Sequence, residues 1–283
     1  VMKGLAEFVQ TEYPPIVSYL HPLVTTEQLT QVFALPGIGK SLFCMELAWK
    51  ISQGMDFLDF KFNKLKHLMN ENEIKFYKTD VSKSINIDDV DYIIHGASIA
   101  SPSIYRTYPL ETLDANVFGT RNVLKLAILK NVSNVVIMSS SEVYGDPDNN
   151  NIPTNEKFNG NVSCEGPRAC YDESKRIAET LAYVYKTKYK LAVNTIRPFN
   201  VFGPGQNLDD KRIVPDCIKS ILNNSDIEIF SDGKSTRSFC YVDDMVSGLM
   251  RLMESTYSRP VNLGNEEEIT IFDLALLIRN KIN

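Results

Sequence analysis

Hydrophobic positions from about residue 74 onward switch between short continuous runs and longer stretches with helical spacing. Continuous apolar or β-rich runs of four to six residues are typical of strands covered on both faces. Such runs predict strands at 76–79, 91–95, 135–138 and 191–196. Apolar residues that recur every three or four positions predict helices at 117–129 and 171–187. Strands separated by helices of this length indicate βαβ units and a parallel sheet.

The C-terminal third adds shorter elements with the same two periodicities. The pattern predicts strands at 227–230 and 238–242, helices at 214–222 and 245–253, and a final helix that begins at Thr270. That helix is still in progress at Asn283, so we expect the fold to continue beyond it. An earlier strand-like stretch at 30–35 precedes a helical pattern over 42–54.

Polar residues follow the predicted strands directly. They are Asp80, Ser98 within 96–98, the three serines 139–141, and Asn200 within 198–200. In open α/β sheets ligands bind outside the carboxyl ends of the strands, so these positions are the first candidates for a site.

Composition narrows the function classes. A net charge of −5 gives no basic footprint for nucleic acid. The longest apolar run is well short of the ~18 residues that span a bilayer, and no secretory signal pattern opens the chain. Five cysteines without Cys-x-x-Cys spacing predict reduced thiols and a cytoplasmic protein, and three scattered histidines predict no metal site.

Tyr171 and Lys175 are four residues apart on a predicted helix and therefore share one face. An ammonium beside a tyrosine favours the phenolate, which could act as general base for a sugar hydroxyl. A Tyr and a Lys at this spacing are also common on helix surfaces, so spacing alone leaves both alternatives open.

Ser140 could share the transferred proton, or satisfy backbone groups in a turn. Glu142 could act in acid/base chemistry, or be a solvated loop carboxylate.

Several segments together resemble the extended short-chain dehydrogenase/reductase group, in particular its UDP-glucuronate decarboxylase branch. Residues 140–147 read Ser-Ser-Glu-Val-Tyr-Gly-Asp-Pro, and residues 166–176 read Gly-Pro-Arg-Ala-Cys-Tyr-Asp-Glu-Ser-Lys-Arg. Residues 197–204, 232–244 and 260–265 match further segments in the same order, so the resemblance covers about 64–283. The chain departs from the branch at 157–164, where an aromatic pair is altered.

The resemblance implies an α/β fold, a Rossmann-like doubly wound parallel sheet with a smaller C-terminal substrate-binding lobe. It implies NAD as cofactor, a nucleotide-sugar substrate and a homodimer formed through the two long helices. Tyr171 and Lys175 would be base and cofactor-ribose anchor, and Ser140 and Glu142 would flank the sugar. The sugar nucleotide would contact Asn116, Arg168, Asn200, Arg212 and Arg237, mostly at its diphosphate. An arginine fork suits phosphate oxygens, which gives Arg212 and Arg237 a physical rationale. The cofactor would contact Asp80, Val81, Ala97, Ser98 and Pro198. His95 is interpreted as a packed strand-end residue.

The first 62 residues follow another pattern. A nicotinamide-binding sheet usually opens with a strand and Gly-x-x-Gly-x-x-Gly, which this chain lacks. Residues 34–41 read Ala-Leu-Pro-Gly-Ile-Gly-Lys-Ser, which resembles the P-loop of a RecA-like ATPase, with Lys40 and Ser41 suited to a nucleotide triphosphate and Mg²⁺. One alternative is that two genes are joined here, naturally, by design or through faulty assembly. The other is that Gly37 and Gly39 receive the dinucleotide pyrophosphate, and that Asp59 receives the hydroxyls of the adenosine ribose.

Three hypotheses follow. The first is an NAD-dependent decarboxylase of UDP-glucuronate, with a 4-epimerase as runner-up; a 4,6-dehydratase would typically have Asp where this chain has Ser141. The second is a P-loop ATP-binding protein, and the third is an inactive scaffold. We expect an atypical βα segment at 1–62, the rest of the cofactor domain at 63–200, and mainly the substrate lobe at 201–283.

Overall fold

The computed structural model describes residues 29–32, 77, 79–87, 90–203, 206, 208 and 211–282, with the backbone alone for 29–32. The strands are β1 (Leu29–Val32), β2 (Tyr92–His95), β3 (Asn134–Met138), β4 (Val193–Pro198), β5 (Asn200–Phe202), β6 (Thr236–Tyr241), β7 (Val261–Leu263) and β8 (Glu268–Thr270). The α-helices are α1 (Pro102–Thr107), α2 (Pro109–Asp114), α3 (Thr120–Leu129), α4 (Ala169–Tyr189), α5 (Ile213–Leu222), α6 (Val242–Glu254) and α7 (Ile271–Ile282).

The main sheet has the order β1-β2-β3-β4-β7, and each neighbouring pair is parallel. Every residue of β3 is buried because helices cover both faces of the sheet. On one face Val135 and Ile137 share a core with α3 and α4; on the other, Val136 and Met138 share a core with α6. The four consecutive apolar residues 135–138, without alternation, are what burial on two faces requires. The predicted doubly wound α/β sheet is therefore confirmed.

A second, three-stranded sheet has the order β5-β6-β8. Its core contains Phe202, Val214 and Cys217, together with Leu274 and Ile278 of α7. The predicted smaller lobe thus has its own hydrophobic core. The chain after residue 200 also returns to the main sheet, since β7 pairs with β4 and α6 covers one face.

One predicted strand is not found, and another lies partly outside the described residues. In 227–230 the apolar side chains of Ile227 and Ile229 do pack on the lobe core, but the backbone carries no strand. The alternating burial of these side chains therefore reflects packing against the lobe core, without backbone pairing to another strand. In 76–79 the described residues, Tyr77 and Thr79, carry no strand. β7 was not predicted, since three residues centred on Asn262 carry too little periodicity.

Helix boundaries differ from the predictions by a few residues. A π-helical turn at Ala115–Gly119 leads into α3, where the sequence predicted a regular helix from Val117. α4 begins at Ala169, α6 at Val242 and α7 at Ile271. In the part of the chain that the model describes, no helix combines the length and apolarity needed to cross a bilayer.

Candidate active site

Three strands of the main sheet end side by side. The register aligns His95 at the end of β2 with Ile137 of β3, and Met138 at the end of β3 with Ile196 of β4. The polar residues that follow each strand therefore meet along one edge of the sheet, as the sequence predicted. This edge is the candidate active site.

Tyr171 and Lys175 reach this edge from the first turns of α4. Their side chains are 2% and 4% exposed, which excludes the alternative of two surface residues. The Lys175 ammonium donates a hydrogen bond to the carbonyl oxygen of Met138, the last residue of β3, over 2.8 Å. The same nitrogen lies 5.8 Å from the centre of the Tyr171 ring. The positive charge is thus fixed beside the tyrosine at the carboxyl end of β3.

Tyr105 of α1 covers the Tyr171 ring. The two rings are stacked, with centroids 5.2 Å apart and planes 8° from parallel. Ile99 and Ala100 complete this buried cluster. The stacking partner, which sequence periodicity did not reveal, leaves the Tyr171 ring little freedom to turn.

Ser140 and Glu142 lie on a 3-10 turn, Ser141–Tyr144, that follows β3. Ser140 is buried, and its hydroxyl oxygen accepts a hydrogen bond from the Glu142 amide over 3.3 Å. Ser140 therefore caps this turn, which is the second of the two alternatives that the sequence left open. That bond uses one lone pair and leaves the hydroxyl proton available, so its role in proton sharing stays a prediction.

Glu142 is paired with Arg168, the residue that precedes α4. Arg168 also lies 3.5 Å from the Asp172 carboxylate, one helical turn away. Burial raises the pKa of Asp172, and the Arg168 charge opposes that effect. The resemblance assigned Arg168 to the sugar nucleotide, and that contact stays a prediction. The structure places its guanidinium between two carboxylates, those of Glu142 and Asp172, at the start of α4.

Asn116 was predicted to contact the substrate, and the structure places it within helix packing. Its side chain is 1% exposed, and its amide nitrogen donates to the Ser174 hydroxyl over 2.8 Å. Ser174 in turn donates to the carbonyl oxygen of Tyr171. Asn116 thus joins the π-helical turn to the first turn of α4, and a substrate contact stays a prediction.

The residues predicted for the cofactor have mixed environments. Ala97 and Ser98 lie buried just beyond β2, and the Ser98 hydroxyl has no hydrogen-bond partner among the described residues. Asp80 is exposed and accepts two hydrogen bonds from Ser82. Val81 is fully buried, with its side chain against Gly119, so a contact with the cofactor stays a prediction. Pro198 is buried at the end of β4. Gly37, Gly39, Lys40, Ser41 and Asp59 lie outside the described residues.

The remaining predicted substrate residues lie on the C-terminal lobe. The side-chain amide of Asn200, on β5, donates to the carbonyl oxygen of Ser238 on β6 over 3.0 Å. Arg237 precedes Ser238 in the chain and is exposed, so the structure brings Asn200 and Arg237 together. Arg212 is the N-cap residue of α5 and is partly exposed.

A buried network behind the serine run was not predicted. It consists of Glu179 on α4, Arg197 on β4, Tyr144 on the 3-10 turn and Asn262 on β7. One signal was available, since Glu179 lies four residues beyond Lys175 and eight beyond Tyr171, on the same helix face. Arg197, Tyr144 and Asn262 lie on other elements, and no local pattern in the sequence connects them with Glu179.

Comparison with known proteins gives a consistent family. Residues 59–264 match the model of the NAD dependent epimerase/dehydratase family. UDP-glucuronic acid decarboxylase 5 of Arabidopsis thaliana is 41% identical over 222 residues, covering 78% of this chain and 64% of that protein. UDP-glucuronic acid decarboxylase 1 of Danio rerio is 42% identical over 219 residues, covering 77% of this chain and 51% of that protein. The chain thus spans between half and two thirds of these relatives' length.

Solved structures share the fold. The UDP-N-acetylglucosamine 4-epimerase from Methanobrevibacter ruminantium M1, solved with UDP-N-acetylmuramic acid, superposes with a TM-score of 0.64 at 28% identity. The superposition covers 72% of this chain and 63% of that one.

Proposed function

Since the chain belongs to the NAD dependent epimerase/dehydratase family, we propose that it is a nucleotide-sugar enzyme that decarboxylates UDP-glucuronate to UDP-xylose. The observation that carries the proposal is the 41–42% identity to UDP-glucuronic acid decarboxylases over some 220 residues. That stretch is long enough to include the motifs that build the candidate site. The geometry of Tyr171, Lys175, Ser140 and Glu142 supports it.

Tyr171 would take the proton from the sugar 4-hydroxyl. Lys175 holds a positive charge 5.8 Å from its ring, so the two groups of the proposed step lie together at the carboxyl end of β3. Ser140 would share the transferred proton at the end of β3. The buried positions of Tyr171 and Lys175, with the Lys175 ammonium bound to Met138, support the fixed geometry that a general base requires.

NAD, when bound, supplies the acceptor and donor of hydride at C4 of the sugar. The described residues fit such a cofactor in two respects. The buried Ser98 hydroxyl, beyond the carboxyl end of β2, has no partner in the part of the chain described, and Lys175 has its ammonium at the end of β3. Lys175, Ser98 and Ala97 would hold the cofactor at the sheet edge where α/β folds bind dinucleotides.

Decarboxylation follows from the chemistry of the oxidised sugar. A carbonyl at C4 lies β to the C6 carboxylate, and β-keto acids lose CO₂ readily. The carbon–carbon bond breaks, CO₂ leaves, and C5 takes up one proton. Arg168, between Glu142 and Asp172, would orient the incoming carboxylate, and Glu142 would serve in proton transfer at the ring.

A 4-epimerase is the second candidate, favoured by the structural likeness to a UDP-N-acetylglucosamine 4-epimerase. The two activities begin with the same proton abstraction and differ in whether the carboxylate is lost. A homodimer and a cytoplasmic location stay predictions from sequence, and so do the boundaries at residues 62 and 200.

The test incubates the full chain with UDP-glucuronate and NAD⁺ and measures CO₂ and the nucleotide sugar formed. We expect CO₂ and UDP-xylose in equal amounts. Tyr171→Phe removes one oxygen with little change in volume, so it should lower the rate about 10²–10⁴-fold while the protein stays folded. A 4-epimer without CO₂ would establish the second candidate, and an unchanged rate in Tyr171→Phe would refute the role of Tyr171.

A further inference from the structure

A bidentate ion pair lies directly behind the serine run. The Arg197 guanidinium at the end of β4 donates to both carboxylate oxygens of Glu179, over 2.9 and 2.6 Å. The two side chains are 11% and 14% exposed, whereas the Arg168–Glu142 pair in the candidate site is 46% and 40% exposed. A buried pair of this kind needs further hydrogen bonds to satisfy its remaining atoms.

Those further bonds run to the two ends of one short segment. Ser139 donates from its hydroxyl to Glu179 over 2.5 Å. Tyr144 accepts a hydrogen bond at its hydroxyl from Arg197 over 2.8 Å, and the guanidinium carbon lies 4.8 Å from its ring centre. Between these anchors lie Ser140 and Glu142.

The segment is also fixed from β7 and from its own backbone. The Tyr144 hydroxyl donates to the Asn262 side chain over 2.6 Å. The amides of Val143 and Gly145 donate to the carbonyl oxygens of Ser140 and Glu142. Burial raises the pKa of Tyr144 despite the opposing bond from Arg197, so the hydroxyl keeps its proton for Asn262.

We propose that Glu179 and Arg197 are positioning residues for the proton-transfer groups, because their ion pair clamps both ends of the segment Ser139–Tyr144 that carries Ser140 and Glu142. Glu179 lies two helical turns beyond Tyr171 on the same face of α4. One helix thus fixes the tyrosine, the lysine and, through Glu179, the segment opposite them. The catalytic consequence rests on the proposed function; the clamp itself does not.

The central variant is Glu179→Gln, which keeps the shape and an acceptor for Ser139 but removes the charge that holds Arg197. Hydrogen exchange measures the clamp without any activity. We expect faster exchange at the Val143 and Gly145 amides, with unchanged exchange in β2. Glu254→Gln, an exposed carboxylate at the end of α6, is the matched control and should leave all of these amides as in the parent.

Activity then tests the consequence. We expect kcat for CO₂ release to fall on the order of 10²-fold in Glu179→Gln, since small misplacements of catalytic groups have costs of that size. KM for the nucleotide sugar should change less than about threefold, because the residues predicted for the diphosphate lie elsewhere. If Glu179 acts through Ser140 and Glu142, its substitution should add little in a Ser140→Ala/Glu142→Gln background.

The double variant Glu179→Met/Arg197→Met serves where the single one fails to fold, because it leaves no unpaired buried charge. It should fold and show the same fast exchange at Val143 and Gly145. Unchanged exchange at these amides, or rate losses that multiply in the Ser140→Ala/Glu142→Gln background, would overturn the proposal. If the parent chain releases no CO₂, the proposed function fails, and the exchange result still decides the clamp.

Discussion

His95 illustrates how one buried residue couples the fold to pH. Its ring is 3% exposed at the end of β2, and its Nε2 lies 3.0 Å from the Thr120 hydroxyl oxygen. That hydroxyl donates its own proton to the carbonyl oxygen of Asn116, so Nε2 carries a proton and donates to Thr120. Burial, and secondarily the Lys175 charge, lowers the pKa of His95 to about 3.

We predict that His95 makes the protein less stable in mild acid. The folded state keeps the ring neutral, whereas the unfolded chain binds a proton near pH 6.5. The stabilising contribution is therefore complete above pH 6.5 and is lost as the pH falls from 6.5 towards 3. Between pH 7 and pH 5 the loss amounts to about 2 kcal/mol of the free energy of unfolding.

Urea unfolding of the parent and of His95→Gln at pH 7 and pH 5 measures this contribution of His95 to the free energy of unfolding. Glutamine retains an N–H for Thr120 but does not titrate, so its stability should fall less between pH 7 and pH 5, by about 2 kcal/mol. Other titrating groups are common to both proteins and cancel in the comparison. Equal losses in the two proteins would contradict the assignment.

At the scale of elements, the turn after β3 depends on a close approach of two backbone segments. Gly145 ends the 3-10 turn with a φ of +65° and pairs with Asn161 in an isolated bridge. A Cβ at this position would lie 1.9 Å from the Asn161 carbonyl oxygen. The glycine therefore allows the loop beyond the turn to pack against the segment that carries Glu142.

We predict that Gly145→Ala destabilises the protein by about 2 kcal/mol or more, because it adds a backbone clash to the strain of a positive φ. Gly166→Ala is the matched control: its φ of +110° is strained as well, but an added Cβ there meets nothing within 4 Å. The free energy of unfolding in urea should fall further for Gly145→Ala than for Gly166→Ala. A larger loss at Gly166 would show that the close approach at Gly145 is unimportant.

At the scale of the whole molecule, the question is which nucleotide binds at the sheet edge. β1 pairs in parallel with β2, so a strand from the first 62 residues does join the main sheet. The P-loop-like residues 34–41 that follow it lie outside the described residues. The family assignment favours NAD, whereas Lys40 and Ser41 resemble a site for Mg-ATP.

We predict that NAD⁺ stabilises the protein and that Mg-ATP does not. At a concentration of 100 Kd, NAD⁺ should raise the free energy of unfolding by about 2.7 kcal/mol, seen as a rise in Tm. Lys175→Met should weaken this response, because the ammonium at the end of β3 is lost. A Tm rise with Mg-ATP that disappears in Lys40→Ala, with no response to NAD⁺, would instead support the ATP-binding alternative.

Local patterns in the sequence determined the parallel sheet and the pairing of Tyr171 with Lys175 on one helix face. Apolar runs such as 135–138 can be buried on both faces only in a covered sheet. The four-residue spacing of Tyr171 and Lys175 places them on one helix face whatever surrounds that helix. These features were predictable because strand and helix periodicities act over a few residues, and the polar positions after each strand followed from them.

Strand order and long-range packing decided the rest. Arg168 meets Glu142, 26 residues earlier in the chain, because α4 begins beside the turn that follows β3. Arg197 meets Glu179 and Tyr144 because β4 is the neighbour of β3 and α4 crosses both. Such ion pairs depend on which elements adjoin, and no periodicity records that. Pairing of β7 with β4 likewise required the folded sheet, since a three-residue strand gains its stability from neighbours rather than from its own sequence.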